Sequence, residues 1–290
     1  MRARLLLTAL ALALVASGLV LAGCGSDKAT PAASASASAA ALAGGVQAIK
    51  DAGVLRVGVK DDVPGLSLPD PATGDFNGME VDLAYAVAER LGLTKDDVEL
   101  QAVTTANRGQ LLDDGKLDMV IATFTITPER ATQWNFSDPH FQDPVGLLVM
   151  QSSGIDGLAA LDGKKIGVLE SATTRDAVQA AADKAGISVE FVEFPTYADI
   201  GAALESGQVD AFASNKTILA GYMTDGSLIL PDDLASQDYG VATKKGADDL
   251  TAFINGVLAE MKANGDMDAL IKKWGLDEPL MTIPFRPVAR

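Results

Sequence analysis

Twice along this chain, short apolar strand patterns alternate with helical apolar spacing in the order strand, helix, strand, helix, strand. In the first stretch, residues 55–59 form a compact strand. Residues 81–91 place Val81, Ala84, Tyr85, Ala88 and Leu91 at helical spacing and stop at Gly92. A strand at 98–103, a short helix at 107–114 and a strand at 119–122 come next. The second stretch reads strand 165–168, helix 173–185 ending at Gly186, strand 189–194, helix 198–206 ending at Gly207, and strand 210–213. Each is the pattern of a parallel sheet with helices on its faces. Residues 145–150 read as a strand crossing between the units, 239–243 as a returning strand, and 248–264 and 266–274 as amphipathic helices. Two α/β units joined by more than one crossing predict two lobes with a cleft between them. The 290 residues, 28 of them glycine, leave room for both.

In open α/β sheets, ligands bind beyond the carboxyl ends of the strands. The first unit's strands are followed by Lys60, by residues 104–108 ending in Arg108, and by Thr123, Thr125 and Arg130. Thr127 reads as a helix N-cap and Pro128 as the first helical residue. Free N–H groups there favour an anion, and Arg130 can grip a carboxylate through paired hydrogen bonds. A capped turn with a surface arginine is the alternative. The second unit's strand ends bring Ser171, Ala172 and Thr173, then Tyr197, then Ser214 and Asn215. Together these describe a small, polar, anion-selective pocket. The net charge of −16 argues against nucleic acid or an anionic membrane surface as partner. An anionic ligand must therefore be won by local cations.

Arg2 and Arg4 precede an apolar run over residues 5–22, which fits an export signal over residues 1–23. A membrane-spanning helix is the alternative, weakened by marginal length and by Thr8, Ser17 and Gly18. Cys24, the single cysteine, directly follows Leu21, Ala22 and Gly23, and no internal disulfide can account for it. The Ala/Ser-rich segment 24–45 has too little bulky apolar surface to pack and is expected to be a tether.

The segments LRVGVKDDVP (55–64), GMEVDLAYAVAERLG (78–92), GKLDMVIATFTITPER (115–130), NFSDPHF (135–141), LDGKKIGV (161–168), ALESGQVDAF (203–212), YGVATKKG (239–246) and KKWG (272–275) occur in this order. In them the chain resembles the bacterial extracellular solute-binding proteins of polar amino-acid ABC importers. VGVKDDVP, TTANRGQLL, ATFTITPER, SATT and NKTILAGY are most similar to the aspartate/glutamate branch. The resemblance implies the type II periplasmic-binding-protein fold: two α/β lobes joined by two hinge strands, lobe 1 over 46–142 and 238–290, lobe 2 over 143–237. It implies a monomeric, extracytoplasmic lipoprotein, with Cys24 in a lipobox carrying the membrane anchor and an ABC permease as partner. Arg130 would hold the ligand's α-carboxylate with help from Thr125 and the helix start at Thr173. Lys60 and Arg108, with Thr123 nearby, would read a side-chain carboxylate, and Tyr197 and Tyr239 would line the cleft. For Lys60 and Arg108 the alternative is solvated surface charge, and for the tyrosines wall packing.

One position departs from the family pattern: Asn215 stands where an aspartate usually receives the ligand's ammonium. An amide accepts a hydrogen bond but supplies no charge. A dicarboxylate without an amine is therefore an open alternative to glutamate or aspartate. An enzyme such as a dehydratase is a third reading. The chain has one histidine, His140, and neither a G-x-S-x-G elbow, a P-loop nor a Cys/His cluster, so no catalytic residue, metal or cofactor is expected.

Overall fold

The computed structural model describes residues 45–277. The expected signal, Cys24 and all of the tether but Gly45 lie outside the described residues. Helix α1 (Val46–Ala52) leads into β1 (Leu55–Val59), the short ribbon β2 (Leu68–Pro69) and β3 (Phe76–Asn77), and α2 (Met79–Leu91). Then come β4 (Val98–Ala102), α3 (Arg108–Asp113), β5 (Met119–Val120), α4 (Pro128–Gln133) and β6 (Trp134–Phe136). The long strand β7 (Phe141–Met150) opens the second half, followed by β8 (Lys165–Leu169), α5 (Thr174–Ala185), β9 (Glu190–Phe194), α6 (Tyr197–Glu205), β10 (Ala211–Asn215) and α7 (Lys216–Gly221). Strands β11 (Ser227–Ile229), β12 (Ala235–Tyr239) and β13 (Ala242–Lys244) precede the C-terminal helices α8 (Asp248–Asn264) and α9 (Asp266–Lys273).

Apart from the β2–β3 ribbon, these strands form two sheets. The first runs β4-β1-β5-β13-β6 and the second β11-β7-β10-β8-β9, with β12 also on β7. Strand β1 pairs in parallel with β4 and β5, and β8 in parallel with β9 and β10, as strand–helix–strand units require. The expected single strand at 239–243 is instead two strands, one in each sheet. Between them Gly240 donates to Phe124 O while the backbone turns from one sheet to the other. The second sheet thus begins at Phe141 and ends at Tyr239, two residues beyond the expected lobe bounds on both sides.

Two chain crossings lie side by side. His140 N donates to Tyr239 O and Ser137 N to Val241 O, while β7 and β12 pair antiparallel from Phe141↔Tyr239 to Val145↔Ala235. Helix α2 packs Val81, Leu83, Ala84 and Val87 on the first sheet beside Leu250 and Ile254 of α8. Each large apolar side chain among them contributes about 1.5–3 kcal/mol on burial. The second sheet has its own core, which includes Leu147, Val168 and Val178. A further cluster joins Val63, Leu66 and Met79 to Tyr197, Ile200 and Ile218, so the lobes are in apolar contact at one end of the cleft.

Candidate functional site

A small pocket, open in part to solvent, lies in the cleft between the lobes. From the first lobe it is lined by Thr105, Arg108, Thr123, Thr125 and Arg130; from the second by residues 172–174, Tyr197, Asn215 and Ile218. Lys60 and Tyr239 do not line it.

Phe124 organises the cationic wall. Its ring packs on Trp134 and Phe136, and two guanidinium carbons approach it, Arg108 Cζ at 3.8 Å and Arg130 Cζ at 5.1 Å from the centroid. Arg108 Nη1 donates to Ala122 O and, at 3.3 Å, to Thr123 O; its Nε is buried without a partner among the described residues. Burial and the nearby charge of Arg130 push the Arg108 guanidinium down to about 9, which leaves it cationic at neutral pH. Arg130 starts from the expected cap: Thr127 Oγ1 accepts Arg130 N at 3.1 Å, with Pro128 at the first helical position. Its side chain reaches across the cleft, Nη1 to Thr125 O at 2.9 Å and Nη2 to Ser171 O at 3.2 Å. Burial lowers it as well. Among the described residues neither guanidinium is paired with a carboxylate, and the lining contains none.

Thr173 stands at the N-cap of α5, yet its hydroxyl does not cap the helix. It donates to Gln237 Oε1 at 3.1 Å, the same atom that accepts Thr125 Oγ1 at 3.1 Å. One amide oxygen on a crossing strand thereby holds a hydroxyl from each lobe. Asn215 lies against β7, its Nδ2 donating to Asp143 O at 3.0 Å. Tyr197 is buried among Phe212 and Tyr222, and burial pushes its hydroxyl well above the usual range.

Lys60 is 2% exposed, but its ammonium sits 3.1 Å from Asp62 and 5.5 Å from the Tyr197 ring centroid. The expected third cation of the cleft is therefore already paired, because the carboxylate two residues on folds back over it. Tyr239 is fully buried with its hydroxyl on Asp143 Oδ2 at 3.3 Å, behind the lining. Glu80, Phe124, Asp143 and Gln237 are site residues that sequence reasoning missed. They lie in strands, turns or helix starts whose local pattern is ordinary, and only their side-chain partners mark them.

Thr123 and Ser171 are the non-glycine residues with positive φ among those described, at 47° and 60°. Both flank the cleft, where such strain is commonly stored. Thr123 is held by Glu80, whose two carboxylate oxygens accept Thr123 N at 2.8 and 3.1 Å; His140 Nε2 faces Glu80 at 3.2 Å. We expect Glu80→Gln to lower stability by about 1–3 kcal/mol, since buried partners are left mismatched. Equilibrium urea unfolding measures it, and an unchanged midpoint would show that the Thr123 turn stands without this carboxylate.

The chain matches the bacterial extracellular solute-binding proteins, family 3, over residues 55–175 and 173–277. It belongs to this family. Its fold is the type II periplasmic-binding-protein fold of two α/β lobes, shared with solved relatives. The chain is 32% identical over 264 residues to the ABC transporter glutamine-binding protein GlnH of Bacillus subtilis, covering 90% of this chain and 94% of that relative. It is 28% identical to the glutamate-binding protein GluB of Corynebacterium efficiens, over 78% of this chain and 80% of that one. An ancestral arginine-binding protein bound to arginine superposes with a TM-score of 0.69 at 34% identity, over 77% of this chain and 98% of that chain. Relatives named for neutral, acidic and basic amino acids thus share one scaffold.

Proposed function

We propose that this chain is an extracytoplasmic receptor, anchored through lipid on Cys24, that captures glutamate or aspartate and hands it to an ABC importer. The observation that carries the reading is the cleft wall: two guanidiniums, Arg108 and Arg130, share one aromatic platform with no carboxylate in the lining. A ligand with two carboxylates answers both charges. Arg130, beside the threonines of both lobes, takes the α-carboxylate, and Arg108 takes the side-chain carboxylate. Lys60, neutralised by Asp62, stays outside direct recognition. The relatives named for amino acids and for ABC transport support the transport role. Catalysis is not part of it. Bonds between lobes, such as Tyr222 Oη to Asp62 O at 2.8 Å, belong to the closed form that a permease would read.

A second reading keeps the receptor and removes the amine from the ligand. Asn215 favours it, because an ammonium in this cleft meets two cations and only neutral acceptors. Isothermal titration of the purified chain with L-glutamate, L-aspartate, L-glutamine, L-asparagine and glutarate decides between them. We expect micromolar or tighter binding of an acidic amino acid; no heat with any of the four amino acids would sink that assignment. Asn215→Asp should tighten binding of an ammonium-bearing ligand and weaken that of a simple dianion.

A further inference from the structure

Two carboxyl groups lie behind the cleft lining without reaching it, Glu80 and Asp143, both 0% exposed. Glu80 is committed to Thr123 N and faces His140. Asp143 is different. It stands on β7 where the chain crosses between lobes, and its bonding partners are neutral. Its Oδ1 accepts Thr217 N at 3.2 Å and its Oδ2 accepts the Tyr239 hydroxyl at 3.3 Å.

Three connections tie this carboxyl to the ligand space. Asp143 O accepts Asn215 Nδ2, and Asn215 lines the cleft. Thr217 lies between Asn215 and Ile218, both lining residues. Across the antiparallel ladder Asp143 pairs with Gln237, and opposed residues share a sheet face. Gln237 in turn accepts the hydroxyls of Thr125 and Thr173, which line the cleft. Asp143 is one layer beneath the floor.

We propose that Asp143 is a proton-linked specificity determinant: the cleft binds an ammonium-bearing acid with Asp143 ionised, and a dicarboxylate lacking an amine with Asp143 protonated. This rests on the acidic-ligand reading above. An ammonium above the floor favours the carboxylate form, whereas an added anion favours the neutral acid. The site keeps its bonds in either state, because the Tyr239 hydroxyl donates to a carboxylate and accepts from a carboxylic acid. Burial pushes Asp143 up to about 7, within reach of both states near neutral pH. The other charged or titratable groups packed around it are otherwise engaged. Tyr197 and Tyr239 are held neutral by burial, Glu80 faces His140, Arg108 stays cationic, and Lys216 Nζ pairs with Asp233 at 2.6 Å.

Linkage sets the sign. A ligand that favours ionised Asp143 releases a proton on binding and gains affinity as pH rises through 7. A ligand that favours the protonated acid takes one up and loses affinity over the same range. The test is calorimetric titration of the purified full-length chain with L-glutamate and with glutarate, from pH 6 to 8, in phosphate and in Tris. At pH 7 we expect release of about half a proton with L-glutamate and uptake with glutarate. Asp143→Asn should abolish both and weaken L-glutamate about tenfold relative to glutarate. Binding of both probes with no proton exchange overturns this proposal alone, without recourse to a variant. Exchange that persists in Asp143→Asn also overturns it. Failure of both probes to bind overturns this proposal, and failure of L-aspartate as well overturns the acidic-ligand reading on which it rests.

Discussion

Replacing Arg130 with alanine is expected to weaken binding of every carboxylate ligand by at least about a hundredfold in Kd. Arg130 ties three things together: its backbone N–H donates to the Thr127 hydroxyl at the helix start, and its guanidinium donates to the Thr125 carbonyl of its own lobe and the Ser171 carbonyl of the other. A ligand carboxylate gripped there gains charge-assisted hydrogen bonds, each contributing about 1.5–3 kcal/mol. Loss of two such bonds is roughly 3–6 kcal/mol, and every 1.4 kcal/mol is a factor of ten. The change also removes the side chain that bonds across the cleft, so closure and binding weaken together. Arg108→Ala separates generic from specific recognition, because Arg108 contacts its own lobe's carbonyls and Phe124. It should spare a monocarboxylate amino acid far more than glutamate. Calorimetry of both variants checks this; Arg130→Ala that stays within tenfold of the unaltered chain would rule out the arginine clamp.

Gly78→Ala has the largest expected effect on stability. Gly78 has φ 146° and ψ 171°, a region that is essentially glycine's alone. A methyl group there would meet Leu66 O at 2.1 Å, Leu66 C at 2.3 Å and Ser67 N at 2.7 Å, all backbone atoms. Those atoms cannot step aside cheaply, because the same loop serves α2: Met79 N donates to Gly65 O and Glu80 N to Leu66 O. Backbone strain of about 1–3 kcal/mol and overpacking of about 1–3 kcal/mol give a loss of roughly 4 kcal/mol. For a body of this size that is a fall in Tm of roughly 10 °C. Thermal unfolding followed by circular dichroism measures it, and a shift of less than about 2 °C would mean the loop yields. The damage is expected to reach the cleft, because Glu80, which holds Thr123, sits two residues beyond Gly78 in the displaced helix.

Local chemistry carries far in this chain. The N-cap at Thr127 with Pro128 behind it, and the helix stop at Gly92, depend on neighbours in sequence and are legible there. Strand ends are equally readable, since a run such as Leu55–Val59 declares both its length and the residue at its carboxyl end. The returning strand at 239–243 misleads, because an apolar run looks the same within one sheet as when it leaves one for another at Gly240. Lys60 misleads for a similar reason. Its position after β1 is legible, but whether its charge stays available depends on where Asp62 folds.

By itself the sequence determined the strand–helix order, the division into two α/β units and the residues standing at the strand ends, because each depends on spacing over a few residues. Only the tertiary structure decided which charges remain available. Arg108 and Arg130 meet on Phe124, Lys60 is silenced by Asp62, and Asp143 and Gln237 come together beneath the cleft. Those outcomes rest on side-chain pairing in three dimensions and on desolvation, which pattern along a single chain does not encode.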